Sequence, residues 1–572
     1  SGYLVIAADA AAFQIKYPGV TNVIGGWTGQ LANSAETIEL TTALGETVNS
    51  VHYASEGDWA RRERGNGASA VLSITRNGAT ATVTVFQHGY SANDVVIISG
   101  ADQPEYNGRF TVSGVTPSTF NITVTGTPAS PATGNIISRW VVDDGFSGWS
   151  WFSAAGGFGN SLELSNPKVD NASGQNWLPS INMNGTPGRA NSVLTNNIAP
   201  IITEVTHFPP VPRPSDSVAI TARVQDELAN GVQNVTLFYR NHSSSAPPAF
   251  SSASMFDDGA HSDGVPGDHL YAAVLPPAAS GTVIEFYVQA ADTTGLTRTW
   301  PAPAWQTNNT YGQFANALYQ VDSEVIGNNM PSVRLIMTGT EDAIFPPSNR
   351  NSDAAMNATI VTSDGTGVKI RYLCDVRIRG AGTRTRTPAN NRVDIPNDNP
   401  WNGRTAFNLN SQFVHAQLVG GVLALKSGLP AEEPYVVQYR INGANPAPLA
   451  APVNGTGNGA GWGVFLLAKP PDGDLAADWF PNDSGGNVYR ASTGNHNADL
   501  SYYGTDPNTY LSRGYYKTSN RTENDWTDFF NLVFAFSQVG PNPNYIQAIS
   551  TNVNVVEWMR YFALSSLMND GE

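Results

Sequence analysis

"VKIRYLCDVRIRG", residues 368–380, alternates apolar and polar side chains over almost its whole length. That period of two predicts a strand with one face in a core. Cys374, the single cysteine of the chain, falls on the apolar face and reads as a small buried core residue. Downstream the period changes. Val414, Leu418, Val422 and Leu425 recur at helical spacing. Trp526, Phe529, Phe530, Val533 and Phe534 follow the i, i+3, i+4, i+7, i+8 rule behind a Thr522/Asp525 capping box, and Val555, Trp558, Met559, Phe562 and Ala563 repeat it behind Asn554. From about residue 330 the chain therefore reads as α+β, and what precedes it reads as β.

Upstream, "SVAITARVQD" (217–226), "NVTLFYR" (234–240) and "TVIEFYVQAAD" (282–292) predict the strands of an immunoglobulin- or fibronectin-like sandwich over 197–320, entered through the proline-rich "FPPVPRPSDS". Residues 66–138 contain "ATVTVFQHGYSANDVVIISG", which alternates at period two between glycine-rich turns and reads as a small inserted β domain. Insertion into a surface loop is thermodynamically tolerable. The expected organisation is 1–65 with 139–196, then 66–138 as the insertion, 197–320, and 321–572. The chain begins "SGYLVIAADAAAF" and stops at "SSLMNDGE", so both ends read as cut and the sequence as a piece of something longer.

Composition agrees with a β-rich chain. Of 572 residues, 55 are glycine and 37 proline, and only 14% are charged, against roughly 25% in an ordinary domain. Aromatics make up 10% and include 13 tryptophans, too many for a disordered chain. The formal charge of −16 repels phosphate backbones and argues against nucleic-acid partners. No stretch of 18 apolar residues is present to span a membrane. A lone cysteine excludes an intrachain disulfide framework but not export.

Local chemistry is sparse. There is no nucleophile elbow, metalloprotease helix or Walker lysine, the eight histidines have no metal-ligand spacing, and the glycine run 455–463 fits no nucleotide fingerprint. The best local candidate is "FDDGAHSDGVPGDHLY" (256–271). Asp257, Asp258, Asp263 and Asp268 sit among glycines that let the backbone fold back. Calcium takes roughly six to eight oxygens, which such a loop can supply. The alternative is a turn whose aspartates bond their own backbone. "GWSWFSAAGGFG" (148–159) brings Trp149, Trp151 and Phe152 together, as core packing or as a platform for a carbohydrate.

Two resemblances add to this. "GYLVIAAD", "GQLANSAETIELTTALGETVNSVHYASEGDW", "GNSLELSNPKVDNASGQNW" and "NGTPGRANSV" resemble a lamin-tail domain, an immunoglobulin-like sandwich. "DVRIRGAGTRTRTPANNRVDIP", "GRTAFNLNSQFVHAQLVGGVLALKSGLP", "VVQYRINGAN", "WGVFLLAK", "GGNVYRAS", "ENDWTDFFNL" and "VVEWMRYFALSSLMNDGE" resemble, in order, the CotH (spore coat protein H) kinase family, secreted or coat-associated proteins with an atypical kinase fold. That resemblance makes Asp570 the match to the catalytic-loop aspartate and places Arg379, Arg392, Asp394 and Lys469 in the nucleotide region. Asp394 falls where the family has a lysine, and Lys469 where it has a glutamate. A carboxylate at a phosphate position repels it, so the resemblance implies an exchanged Asp394–Lys469 ion pair on neighbouring strands that keeps the fold and loses the nucleotide. In the family the metal-binding acid lies beyond Glu572.

The sequence therefore favours an extracellular or cell-surface bacterial protein in structural, adhesive or assembly work, with a degenerate kinase-like domain. Surface or matrix proteins or polysaccharide are the expected partners, calcium is a possible cofactor, and oligomers are compatible with this reading. The runner-up is an active secreted kinase using ATP and Mg²⁺ on surface or coat proteins. A third reading is an array of carbohydrate-binding modules.

Overall fold

The computed structural model describes residues 2–568 apart from 28–30, 33, 66, 142–146, 229–230, 308–309, 325–329, 346–348, 351, 381–382, 385, 447–463, 492–498, 521–524 and 539–543. The fold is mainly β and is spread over many small sheets. It ends in a seven-stranded closed barrel with helices attached.

The barrel strands are β1 (Ser332–Ile336), β2 (Met356–Asp364), β3 (Gly367–Ile378), β4 (Asn391–Asp394), β5 (Ala406–Asn410), β6 (Tyr435–Ile441) and β7 (Val464–Ala468). They run in the order β1-β2-β3-β4-β5-β7-β6, and β6 closes the ring by pairing parallel to β1. Strand periodicity puts Val376, Ile378, Val393, Phe407, Leu409 and Phe465 inside, each fully buried. Cys374 is among them, and burial pushes its thiol well above the usual range.

The alternation of β3 breaks at Tyr372–Leu373, and the backbone shows why. Ala358 faces Cys374, but Ile360 faces Arg371, so two residues of β3 oppose one of β2. This bulge takes Leu373 to φ +57° and turns Tyr372 and Leu373 out of the barrel into the core of the preceding sandwich. That sandwich packs 201–208, 218–225 and 270–275 against 251–255, 232–241, 283–292 and 297–300, with 317–320 also paired to 283–292. Ile220, Leu237 and Phe286 form its centre.

Residues 68–141 form a three-stranded and a four-stranded sheet around Ile74, Val83, Tyr106 and Phe120. On either side of them in the chain, Arg61–Arg64 pairs antiparallel with Trp149–Phe152 and touches Ala304–Trp305 in parallel. The hairpin Ala35–Thr41/Thr47–Ala54 turns at Gly45, whose φ of +83° suits glycine, and it stands as a two-stranded sheet with most side chains exposed. The 56–64 stretch docks on the barrel. Arg62 Nη2 donates to Asp375 Oδ1 at 2.5 Å, and the Asp58 N–H donates to Asp398 Oδ2 at 2.9 Å.

Four helices bear on the argument: α1 (Val414–Lys426), α2 (Gly473–Trp479), α3 (Thr527–Ser537) and α4 (Val555–Met568). Helical spacing places them well but overstates their burial. In α3, Phe529 and Val533 are buried beside Trp526, whereas Phe534 is exposed. Of the α1 stripe only Val414 is buried. In α4 the buried residue is Leu564, and Val555, Trp558, Met559 and Phe562 face outward. The α3 cap also differs from expectation. Asp525 accepts the Thr527 N–H at 2.9 Å, while Thr522 lies outside the described residues. No helix among the described residues is long and apolar enough to cross a membrane.

Candidate functional site

Because Val376, Val393 and Phe407 point inward, their neighbours Arg377, Arg392, Asp394 and Ala406 point outward onto one barrel face. Over that face lie α2 and the 484–486 and 518–520 segments, with residues 31–32, 34–36 and 55–56 closing one side. The cleft measures about 670 Å³, within the range of small-molecule sites. Among the described residues that line it, Arg392 is the one cation, against Glu36, Glu56, Asp394, Asp472 and Asp474.

Arg392 is held through its Nε and Nη2. Its Nε lies 2.8 and 3.0 Å from the two Asp394 oxygens, and its Nη2 lies 2.6 Å from Asp394 Oδ1 and 3.2 Å from Asp472 Oδ2. Burial alone would lower the guanidinium pKa, but Asp394 and then Asp472 outweigh it and raise it. Asp472 also N-caps α2 by accepting the Asp474 N–H. Burial raises its carboxyl, with Arg392 opposing. Asp474 accepts the Thr405 N–H at 3.0 Å and the Thr405 hydroxyl at 2.5 Å. One turn on, Asp478 accepts from Lys469 Nζ, whose side chain is only 3% exposed. Three aspartates of one short segment thus clamp β4, β5 and the end of β7.

The expected Asp394–Lys469 pair is not formed. Strand β5 lies between β4 and β7, which sets their backbones roughly 9–10 Å apart at about 4.8 Å per strand. Each residue takes a partner on its own side of that gap, Arg392 for Asp394 and Asp478 for Lys469. Arg379 sits one step further along the same face, where it donates to Asn410 Oδ1. Burial lowers its pKa, with Glu432 opposing. Asp570 lies outside the described residues. The sequence reading missed Asp472, Asp474 and Asp478, although "PPDGDLAAD" carries a readable signal in an N-cap aspartate followed by acids at i+2 and i+6.

In the 256–271 loop the carboxylates turn onto their own backbone. Asp263 is buried and accepts the N–H groups of Asp258, Gly259 and His261. Asp257 accepts from Gly267 and His269, and Asp268 from Val265 and Leu270. Burial opposes ionisation of Asp263, but these amide donors outweigh it and hold the carboxyl below the usual range. Among the described residues, no group of three or more acidic, histidine or cysteine side chains is arranged to hold a metal ion.

Residues 376–571 match a family model described as CotH kinase protein. No curated protein matches the chain. Among solved structures the chain is similar to an endosialidase of phage phi92, at 15% identity over 51% of this chain and 48% of that one, with a TM-score of 0.12. The chain thus spans about half the length of that relative, and so low a TM-score carries no argument about fold or function.

Proposed function

We propose that this chain, which carries a CotH kinase family domain at residues 376–571, is a bacterial surface or matrix-assembly protein in which that domain serves as scaffold and does not transfer phosphate. The observation that supports this most is the clamp by α2. Arg392 is held by Asp394 and Asp472, and Lys469, which stands where the family has a glutamate, is held by Asp478. A triphosphate needs positive charge at its β- and γ-oxygens, whereas the described residues of this cleft are one neutralised arginine among acids. These residues do not fit the phosphates of ATP. An extracellular location is part of this reading, and the residues flanking 66–138 are assigned to a lamin-tail-like unit on their resemblance.

Calorimetry with ATP and Mg²⁺ and a radiolabel-transfer assay on the full chain test the reading. Neither saturable binding nor transfer is expected. The second reading, an active secreted kinase, is favoured by the size of the cleft. Robust transfer by the wild type that Asp570→Ala abolishes would establish it in place of the scaffold.

A further inference from the structure

A second cavity, of about 620 Å³, lies away from the barrel face. It opens where residues 57–62, 151–154, 174–179 and 297–303 meet. Trp59, Trp151, Trp177 and Trp300 line it, four of the chain's 13 tryptophans, each from a different segment. All but Trp59 keep part of their surface exposed. The rings are braced by their neighbours. Trp59 and Trp177 lie 6.0 Å apart at 35°, the Arg62 guanidinium sits 4.8 Å from the Trp151 ring centre, and Tyr372 meets Trp300 edge-on at 5.7 Å. Planar polar groups share the lining: the carboxylate of Asp58, the amides of Gln175 and Gln289, and the guanidinium groups of Arg61, Arg62 and Arg298. Asp58, Gln175 and Arg298 too are held in place. Gln175 Nε2 donates to Asp58 Oδ2 at 2.8 Å, and Arg298 Nε donates to the Pro200 carbonyl at 2.9 Å.

We propose that this cavity is a saccharide-binding site for β-linked oligosaccharides built of equatorial pyranoses, such as a glucan or a poly-N-acetylglucosamine. An equatorial pyranose presents two apolar faces of axial C–H groups and a rim of hydroxyls. Fixed indole faces bury the C–H faces. Planar carboxylate, amide and guanidinium groups bond pairs of adjacent hydroxyls, each of which both donates and accepts. A concave, mostly apolar site with a few converging polar groups is the form that small-ligand recognition takes. Braced rings lose little freedom on binding, so more of the contact energy remains as affinity.

The test uses the full chain with cellohexaose, hexa-N-acetylchitohexaose and a proline-rich decapeptide as probes, read by calorimetry and tryptophan fluorescence. One of the two saccharides is expected to bind and to perturb the fluorescence. Trp177→Ala and Ala154→Arg are each expected to weaken that binding by at least about tenfold while thermal melting stays cooperative. Ala154→Arg leaves every tryptophan in place and fills the cavity, so it carries the test if Trp177→Ala does not fold. The proposal is overturned if neither saccharide binds the wild type at about 10 mM. Saccharide binding that Ala154→Arg leaves unchanged overturns it too, as does binding of the proline-rich peptide in place of both sugars.

Discussion

Arg392 Nη2 lies 3.2 Å from Asp472 Oδ2, so the cation of the barrel-face cleft is tied to the helix that roofs it. Lys469 is tied to the same helix through Asp478. Asp472, at the start of α2, and Asp478, within it, thus each hold one of these two cations.

The Asp472→Asn/Asp478→Asn double variant should therefore gain affinity for pyrophosphate by about tenfold, since each tenfold is about 1.4 kcal/mol and removing a nearby carboxylate is worth at least that at moderate dielectric. Asparagine is as good an N-cap as aspartate, so α2 should persist. Calorimetry at low salt reads the change. Equal, weak binding by both proteins would mean that the clamp is not what keeps phosphates out.

The 256–271 loop makes a second prediction. Asp263 ties down three N–H groups of its own turn, so Asp263→Ala should lower the melting temperature by several degrees. The loss should be the same in chelator and in millimolar calcium, because amide donors already occupy the carboxylate. A loss seen only with calcium present would show that the oxygens serve a cation instead.

Tyr372 donates its hydroxyl to His207 Nδ1 at 2.5 Å, across the boundary between barrel and sandwich. Burial holds His207 down to about 4, with the Pro210 carbonyl opposing, so the ring is neutral at pH 7. Its Nε2–H then donates to Pro210 at 3.2 Å and its Nδ1 accepts. Tyr372→Phe leaves that acceptor buried and unpaired, and it should cost about 1–3 kcal/mol in denaturant unfolding. Unchanged stability would mean that water reaches Nδ1 in the variant.

That contact also shows what the sequence made legible. Period-two alternation found β3, and its one break, Tyr372–Leu373, is where the bulge swings two side chains into the neighbouring core. Arg392 and Asp394 could be named, but Asp472, Asp474 and Asp478 could not, and the pairing read for Asp394 was the wrong one. Arg392 and Asp472 are 80 positions apart, and the insertion of β5 between β4 and β7 follows from a strand order that no local pattern encodes. Helical spacing located α4 but not its buried side, because an apolar stripe says only that a face can be covered.

Glu56 supplies the last prediction. It sits where the 56–64 stretch meets the barrel, and burial, reinforced by Asp375 and Asp394, lifts its carboxyl from 4.5 to about 8 against the pull of Arg62 and the Asn397 N–H. Asp375 and Asp58 are lifted the same way, each to about 6 and mainly by burial. A folded-state pKa above the unfolded one means that the native state holds the proton more tightly. The resulting stability is complete below about 4.5 and is lost as pH rises through about 8. Wild type should therefore melt at progressively lower temperature than Glu56→Gln as pH is raised from 5 to 9. Glutamine keeps the shape of the protonated acid and cannot ionise, so the difference between the two melting curves isolates this group from the opposite trend of buried His207. Melts followed by circular dichroism across that range decide the matter. If the two curves run parallel, the carboxyl ionises without cost, and the junction between the 56–64 stretch and the barrel is wetter than its packing indicates.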